Sequence, residues 1–274
     1  MDPGPFFVDH PRVRAWLEIR EPLERQLEPL GRAAMEALPL GSGERVLDVG
    51  CGIGSSPAAL AQLVGPHGQI VGLDVLADAL RVAASDPDLP ATVSFVHGDA
   101  QTYPFAPASF DAVFSRFGVM FFTDPDAAFS NLRRALAPGG RLAFVCWRRL
   151  VENELDHLPL RAAAQHLPAS LVSDTGRAGW FSFADPDYLR TLLHDAGFQA
   201  IELRPHDEPV RSGSLKSMVD VCSRVGALGA ILREHPDLRA SASAALERML
   251  ADRDGPEGPT LQAGVWIVCA RVDG

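Results

Sequence analysis

The chain has 274 residues, of which 47% are hydrophobic and 22% charged, and this suits one large domain with an accessory region and an ordinary buried core. A formal net charge of −10 argues against a nucleic-acid partner, because proteins that bind the phosphate backbone usually carry a basic surface. No apolar run reaches the ~20 residues of a membrane helix, and no signal peptide is recognisable, so we expect a cytoplasmic protein. The four cysteines form no C-x-x-C pair, so we expect reduced thiols and no metal centre.

Helical spacing of apolar residues begins close to the N-terminus and covers residues 11–38. Pro22 and Pro29 interrupt the pattern, and proline disrupts helix interiors, so we expect two or three helices in this segment. We interpret residues 1–40 as an N-terminal helical cap and residues 41–274 as the main domain.

A buried strand followed by a glycine turn comes next. Residues 46–49 are apolar except for Asp48, residues 50–54 read G-C-G-I-G, and residues 57–64 are helical in pattern. The order strand, glycine turn, helix brings backbone N–H groups close to a ligand. A dinucleotide fingerprint needs a third glycine where this chain has Ser55, which weighs against an NAD-dependent dehydrogenase.

Strand and helix signals then alternate along the chain. We predict strands at 69–75, 93–97, 110–117, 141–147, 198–203 and 261–272, and helices at 78–84, 126–136, 155–166, 186–196 and within 214–250. Such alternation implies right-handed βαβ units and a parallel sheet with helices on both faces. Insertions at about 148–185 and 212–260 are expected to wall a substrate pocket, because ligands bind beyond the carboxyl ends of the strands.

Charged residues at successive strand ends are candidates for ligand contacts. Asp74 can accept two hydrogen bonds from a ribose diol, although it can equally cap the following helix. Asp99 can accept from an adenine amine, or can simply be a turn residue. Arg116 is expected either to pair with Asp48 or Glu18 or to bind an anionic group of a substrate.

Five motifs occur in a fixed order: V-L-D-V-G-C-G-I-G, G-L-D-V, H-G-D-A-Q, F-D-A-V-F-S-R-F-G-V-M-F-F-T-D-P and L-R-R-A-L-A-P-G-G-R-L-A-F-V-C-W. This series resembles the class I S-adenosylmethionine (SAM)-dependent methyltransferases of the UbiE-like methyltransferase-11 group, over residues 45–147. The resemblance implies a Rossmann-like, seven-stranded, mostly parallel sheet with the last strand antiparallel, helices on both faces, and helical N-terminal and insertion segments that form a lid. It also implies methyl transfer from SAM to a small molecule, with S-adenosylhomocysteine as product.

The resemblance also implies which residues contact the cofactor. Toward the methionine part of SAM it places Asp48, Gly50, Cys51, Gly52, Gly54 and the backbone of Ser115. Toward the ribose and adenine it places Asp74, Val75, Asp99 and Ala100. Asp48 would anchor the amino group, often through water, and Asp74 would hold the ribose.

Residues that contact the acceptor are less clearly indicated. Candidates are Trp16, Phe117, Trp147, Asn153, Trp180 and Phe181, for which core packing or, for Asn153, helix capping is the alternative. A general base is needed only if the acceptor loses a proton. Candidates are His10, His157, His166, Glu154 and Asp156, each of a type that is more often a solvated surface group. Arg116 is a further catalytic candidate, and no catalytic constellation is recognisable.

The acidic charge and apolar insertions favour a small, largely apolar acceptor such as a quinone, a phenolic or polyketide-like compound, or an amine-bearing secondary metabolite. Whether oxygen, nitrogen or carbon is methylated stays open, as does a homodimer. A SAM-binding protein of the same fold that acts as a scaffold or a pericyclase-type catalyst is the alternative.

Overall fold

A computed structural model describes residues 17–168, 171 and 179–274. In this part of the chain the strands are β1 (Arg45–Val49), β2 (Gln69–Asp74), β3 (Val93–His97), β4 (Phe110–Arg116), β5 (Leu136–Trp147), β6 (Gln199–Val210) and β7 (Leu261–Arg271). They form one sheet in the order β3-β2-β1-β4-β5-β7-β6. Strands β1 to β5 pair in parallel, whereas β7 is antiparallel to both of its neighbours. The prediction of a Rossmann-like, seven-stranded sheet with an antiparallel last strand is confirmed.

The helices connect these strands or follow them as insertions. They are α1 (Arg20–Glu36), α2 (Ser55–Val64), α3 (Ala77–Ala84), α4 (Pro125–Ala135), α5 (Glu154–Ala163), α6 (Pro186–Asp195), α7 (Leu215–Cys222), α8 (Gly226–Glu234) and α9 (Arg239–Ala251). None of these helices is long and apolar enough to cross a membrane.

Local sequence determines where several of these helices begin and end. Helices α4 and α6 each begin with proline after an aspartate, and the Asp124 and Asp185 side chains accept hydrogen bonds from the backbone N–H groups of Ala127 and Asp187. Proline at the first position lacks only an N–H that would have no partner in the helix. Gly197 follows α6 with φ +85°, the left-handed conformation in which a glycine commonly ends a helix.

The core lies on both faces of the central strands. Residues Val46–Val49 of β1 are buried, as are Ala112–Ser115 of β4. Strands that are covered on both faces are apolar throughout instead of alternating, which explains why they read as short apolar runs. Phe129 of α4 packs against Phe144 and Phe183 at ring-centroid distances of 5.7 and 6.0 Å. The sheet is therefore rigidly covered, and its carboxyl edge is left to form a site.

Helix α1 is continuous over residues 20–36, so the expectation of a break at Pro29 is wrong. Residues 17 and 18 are also helical, and a turn at Ile19 separates them from α1. Pro22 lies in the first turn, where its missing N–H has no intrahelical acceptor to lose. Pro29 lies inside the helix and removes one hydrogen bond. Burial of Leu23, Leu30 and Ala34 on the face that packs on the domain offsets that loss. Residues 11–16 of the predicted helical segment lie outside the described residues.

Two strands are longer than the sequence indicates. Strand β6 continues from the predicted end at residue 203 to Val210, through Pro205 and Pro209. It is the edge strand of the sheet and pairs with β7 alone, so one side of its backbone needs no partner and proline is tolerated there. Strand β5 begins at Leu136, although its regular pairing with β4 starts at Arg141, after a register shift.

Candidate active site

A cavity of about 930 Å³ opens at the carboxyl edge of the sheet. This is near the upper end of the ~300–1,000 Å³ usual for small-molecule sites. One part of its lining, here called the strand-end wall, follows β1, β2 and β3: Val49, Gly50, Cys51, Gly52, Asp74, Val75, Asp99 and Ala100. Another part, here called the apolar wall, consists of Phe117, Phe121, Trp147, Leu155, Asp156, Trp180, Val221, Cys222, Val225 and Gly226.

The glycine turn after β1 forms the start of the strand-end wall. Gly50 has φ +72°, and a Cβ atom on it would lie 2.7 Å from Cα of Gly118, in the segment after β4. Only glycine permits this backbone-to-backbone approach. The N–H groups of Gly50 and Cys51 donate to the carbonyl of Leu73 at 2.8 and 3.2 Å. These bonds hold the turn against the end of β2, where Asp74 is.

Asp74 is held by backbone N–H groups on both of its oxygens. Its Oδ2 accepts from Gly52 and its Oδ1 from Leu76, each at 2.8 Å. Burial raises the pKa of Asp74, although these hydrogen bonds act in the opposite direction. A carboxylate has about four acceptor sites, so capacity remains for a ligand diol. Asp74 orders the start of α3 through Leu76 and also faces the cavity, so its contact with a ribose diol stays a prediction.

Asp48 lies just behind the lining, next to Val49. Its Oδ2 accepts a hydrogen bond of 2.6 Å from the Ser56 hydroxyl, whereas its buried Oδ1 has no partner among the described residues. Burial raises the pKa of Asp48 to about 7, against the lowering effects of Ser56 and the Arg116 charge. A buried carboxylate oxygen without a partner is unfavourable. The unpaired oxygen therefore fits a ligand ammonium group that is reached through water.

Asp99 and Ala100 continue the wall after β3. The Asp99 carboxylate accepts from the backbone and side chain of Gln101 at 2.8–2.9 Å. The Gln101 amide oxygen accepts in turn from Thr123 at 3.0 Å and from the N–H of Asp124 at 2.5 Å. This network joins the end of β3 to the segment before α4 and keeps the edge of the cavity in place.

Two predicted cofactor residues, Gly54 and Ser115, are not part of the lining. A Cβ atom on Gly54 would lie 3.0 Å from Cβ of Ala83, so this glycine packs against α3. The Ser115 hydroxyl donates to the carbonyl of Val49 at 2.7 Å and accepts from the N–H groups of Gly118 and Val119. It holds the turn after β4 beside the glycine turn.

Arg116 forms a bidentate ion pair with Glu24 of α1, with N–O distances of 2.6 and 2.8 Å. The expected partners Asp48 and Glu18 are wrong, and Glu18 pairs with Arg224 instead. Burial would raise the pKa of Glu24, but Arg116 outweighs it and the net pKa is lowered. Because the carboxylate of Glu24 occupies two N–H groups of its guanidinium, Arg116 connects α1 to the end of β4. It is therefore less suited to the catalytic or anion-binding role considered above.

Aromatic pairs form much of the apolar wall. Phe117 stacks on Trp147 at a centroid distance of 4.3 Å, and Phe121 contacts Trp180 edge to face at 5.0 Å. Phe117, Trp147 and Trp180 were expected from the sequence, whereas Phe121 reads as core and was missed. Phe181 is buried and does not line the cavity, which leaves it as a core residue. Trp16 lies outside the described residues.

Asn153 does not line the cavity, so the structure does not support its proposed contact with a substrate. Its side chain is fully buried and fixed at both ends. The amide nitrogen donates to the carbonyls of Arg148 and Arg149 at 3.2 and 3.1 Å, and the amide oxygen accepts from the N–H of Gly264 at 2.7 Å. It makes no side-chain cap for α5. Asn153 thus ties the start of the insertion to β7.

The candidate general bases differ in whether they line the cavity. Glu154 pairs with Arg253, and neither it nor His157 nor His166 lines the cavity. His10 lies outside the described residues. Asp156 was expected to be a solvated surface group, and instead it is 7% exposed and part of the apolar wall. The pattern of α5 could have indicated this, because Asp156 shares the buried face with Leu155 and Leu160.

Residues 47–144 match the family described as "Methyltransferase domain", methyltransferase-11. The ubiquinone/menaquinone biosynthesis C-methyltransferase UbiE of Pseudomonas aeruginosa is 39% identical over 181 residues, which are 62% of this chain and 71% of that protein. The 2-phytyl-1,4-naphthoquinone methyltransferase of Thermosynechococcus vestitus is 29% identical over 179 residues, 63% of this chain and 80% of that protein. Haemonchus contortus phosphoethanolamine N-methyltransferase 2, solved with S-adenosylhomocysteine, superposes with a TM-score of 0.58 at 19% identity, over 96% of this chain and 57% of that chain. This last similarity concerns the fold alone.

Proposed function

Since this chain belongs to the methyltransferase-11 family of SAM-dependent methyltransferases, we propose that it methylates a small, largely apolar, hydroxyl-bearing ring compound of the quinol or phenol type. The observation that carries the proposal is that the strand-end wall and the aromatic apolar wall border the same cavity. The relatives whose names concern quinones support the same class of acceptor.

The strand-end wall has the groups that a SAM molecule needs. In this proposal the carboxylate of Asp74 receives the ribose diol, and Asp99 and Ala100 contact the adenine. The unpaired oxygen of Asp48 suits the amino group, through water. When bound, SAM supplies an activated methyl group, whose bond to sulfur breaks with the electron pair left on sulfur. The protein's task is to hold the acceptor in line with that bond and to exclude water.

The apolar wall suits a flat aromatic acceptor. Phe117 and Trp147 present a stacked pair, and Trp180 adds a second ring surface. Aromatic faces of this kind bind planar rings by offset stacking and keep the surroundings dry. A methyl group transferred from sulfur needs an electron-rich acceptor, whereas a quinone ring is electron-poor. The acceptor is therefore the reduced hydroquinone or a phenol.

The test combines binding and turnover. Calorimetric titration of the purified protein with SAM should give heat of binding, and titration with NAD should give none. Incubation with SAM and 2-prenyl-1,4-naphthohydroquinone, next to a panel of simple phenols, should release S-adenosylhomocysteine. Aliphatic alcohols and amines of equal size are the matched controls. Binding of SAM without turnover of any ring hydroxyl would contradict the proposed acceptor class and favour a non-transfer role.

A further inference from the structure

Asp156 is a carboxylate in an otherwise apolar part of the cavity. It is the third residue of α5, and its neighbours in the lining include Leu155, Val221 and Val225. Burying a carboxylate among apolar groups is unfavourable unless the structure holds it in place or uses it. The features around Asp156 show that it is held.

One oxygen of Asp156 is fixed by the start of α8. Its Oδ1 accepts a hydrogen bond of 2.8 Å from the N–H of Ala227. The preceding residue, Gly226, has φ +74°, and a Cβ atom there would overlap with Oδ1 of Asp156. Glycine is thus required twice over at this position, once for the backbone and once for the close approach of the carboxylate. The site is built around the position of this side chain.

The charge of Asp156 is not neutralised by an ion pair. In the part of the chain that the structure describes, no arginine, lysine or histidine lies within ion-pair distance of it. The cavity lining beside α7 and α8 also contains Cys222, Arg224, which pairs with Glu18, and Arg233, which donates to the carbonyl of Arg224. Burial therefore raises the pKa of Asp156 to about 6, and the Ala227 N–H only partly opposes this.

The other carboxylates of the described lining are already engaged, and His97 of the lining lies at the end of β3, where its Nε2 contacts the carbonyl of Val75 at 3.0 Å. The carboxylates of Asp74 and Asp99 accept hydrogen bonds from neighbouring amides, Glu24 pairs with Arg116, and Asp124 caps α4. The cysteine thiols of the lining have pKa values raised by burial, so they stay neutral. Asp156 combines a place in the apolar wall, an Oδ2 atom that accepts no hydrogen bond within the described residues, and a charge without an ion-pair partner there.

We propose that Asp156 is the general base of this enzyme and takes the hydroxyl proton of the ring acceptor as the methyl group is transferred. The inference rests on the proposed function. The acceptor oxygen keeps the O–H electron pair, and that pair, on oxygen or delocalised to the adjacent ring carbon, forms the new bond to the methyl carbon. The products are the methylated ring, S-adenosylhomocysteine and protonated Asp156, which returns one proton to water. In transfer to carbon, the ring proton then moves to oxygen, so the balance is the same.

The substitution Asp156→Asn tests this assignment. It keeps the shape of the side chain and an oxygen for the Ala227 N–H, but it cannot accept the proton. With 2-prenyl-1,4-naphthohydroquinone as acceptor, we expect kcat to fall by about 10²–10⁴-fold, the range usual for loss of a general base. The rise of kcat through pH 6 in the wild-type enzyme should disappear, while the Kd for SAM stays unchanged. Glu154→Gln, two residues away and outside the cavity, is the control and should keep both kcat and the pH profile.

A second variant separates a base from a structural anchor. In Asp156→Ala, added formate should restore part of kcat in proportion to its concentration, because the space left by the side chain admits a small carboxylate. An anchor for α8 would not be replaced in this way. Thermal unfolding of each variant shows whether it is folded.

The possible failures are distinguishable. If Asp156→Asn keeps kcat within threefold of wild type, or if wild-type kcat does not rise between pH 5 and 7, the base assignment is wrong and the proposed function stands. If the wild-type protein binds SAM but methylates no ring hydroxyl in the panel, the proposed function fails and this inference fails with it.

Discussion

The two walls of the cavity are built in different ways. The strand-end wall uses short-range turns that directly follow β1, β2 and β3, and its key contacts are backbone N–H groups such as that of Gly52, which donates to Asp74. The apolar wall takes side chains from β5, α5 and α7, from the segment after β4, and from Trp180 and Val225, and these are brought together only by tertiary packing. A cofactor that stays the same can be recognised by local backbone geometry, whereas an acceptor that differs between enzymes is recognised by replaceable side chains.

Each region contains a buried carboxylate with one strong hydrogen bond. Asp48 accepts from the Ser56 hydroxyl and Asp156 from the Ala227 N–H, and burial raises the pKa of both, to about 7 and about 6. Asp48 lies behind the lining, where it suits a fixed cationic partner. Asp156 faces the cavity, where it suits a proton that comes and goes. The experiments below test whether the two regions are separable in this way.

The largest effect is expected from Asp74→Asn in the strand-end wall. In the wild-type protein, backbone N–H groups donate to both carboxylate oxygens of Asp74. In the variant the amide NH₂ would face one of these N–H groups, so two donors would repel each other where a buried hydrogen bond was. We expect the affinity for SAM to fall by about 30–5,000-fold, from a loss of ~2–5 kcal/mol. Calorimetry measures this change, with Asp78→Asn, a half-buried residue of α3 outside the cavity lining, as control. Unchanged affinity in Asp74→Asn would remove this residue from the cofactor site.

The next effect is a coupling between SAM binding and pH. The pKa of Asp48 lies at about 7 against an ordinary value of 3.8, so the carboxyl is largely protonated below pH 7 in the free protein. An ammonium group favours the charged form, so binding should release a proton, and affinity should rise by up to about tenfold per pH unit between pH 5 and 7. Calorimetry in buffers of different ionisation enthalpy measures the proton count. In Asp48→Asn both the proton release and the pH dependence should vanish.

The raised pKa of Asp48 also makes the free energy of unfolding depend on pH. A group whose pKa is raised in the folded protein stabilises the fold below its unfolded value of 3.8, and that contribution is lost as pH rises through about 7. Relative to wild type, Asp48→Asn should therefore gain free energy of unfolding as pH rises from 4 to 7. Denaturant unfolding at several pH values measures this trend, and a difference that does not change with pH would contradict the assignment.

Whether a site residue could be predicted from the sequence depends on how far along the chain its contact partners lie. The glycine turn, Asp74 and Asp99 could be predicted because each stands where an apolar run ends, and the run itself marks the strand. The partners of Arg116 and Asp156 could not, because they are 92 and 71 residues away and no local pattern links them. Asn153 was misassigned for the same reason, since its partner Gly264 is brought near only by the sheet.

The Arg116–Glu24 pair is expected to stabilise the contact between α1 and the end of β4, beside the two walls. With side-chain exposures of 13% and 31%, it lies between a surface pair and a fully buried one, and replacing either partner should lower the free energy of unfolding by about 2 kcal/mol. The double variant Glu24→Gln with Arg116→Met should lose less than the sum, because neither charge is left unpaired. Denaturant unfolding of the four proteins gives this coupling. Strict additivity would mean that the pair does not stabilise the contact between α1 and β4.

The smallest effect is expected from Trp180→Leu in the apolar wall. The variant loses the edge-to-face contact with Phe121 and one ring surface for the acceptor. At ~1 kcal/mol for an aromatic contact, the KM for the hydroquinone should rise by about fivefold, with the Kd for SAM unchanged. Steady-state kinetics at saturating SAM measures it, with exposed Val151→Ala as control. An equal loss in SAM affinity would show that the two regions are not separable.

The position of β7 between β5 and β6 determines the order in which the chain can be assembled during synthesis. Strand β6 pairs with β7 alone, so it has no place in the sheet until a strand about 60 residues further along has emerged. At ~5–20 residues per second, β6 waits on the ribosome for roughly 3–12 s with both edges unpaired. Its prolines and charged residues, which obscure it as a strand in the sequence, then protect it from pairing with a neighbouring nascent chain.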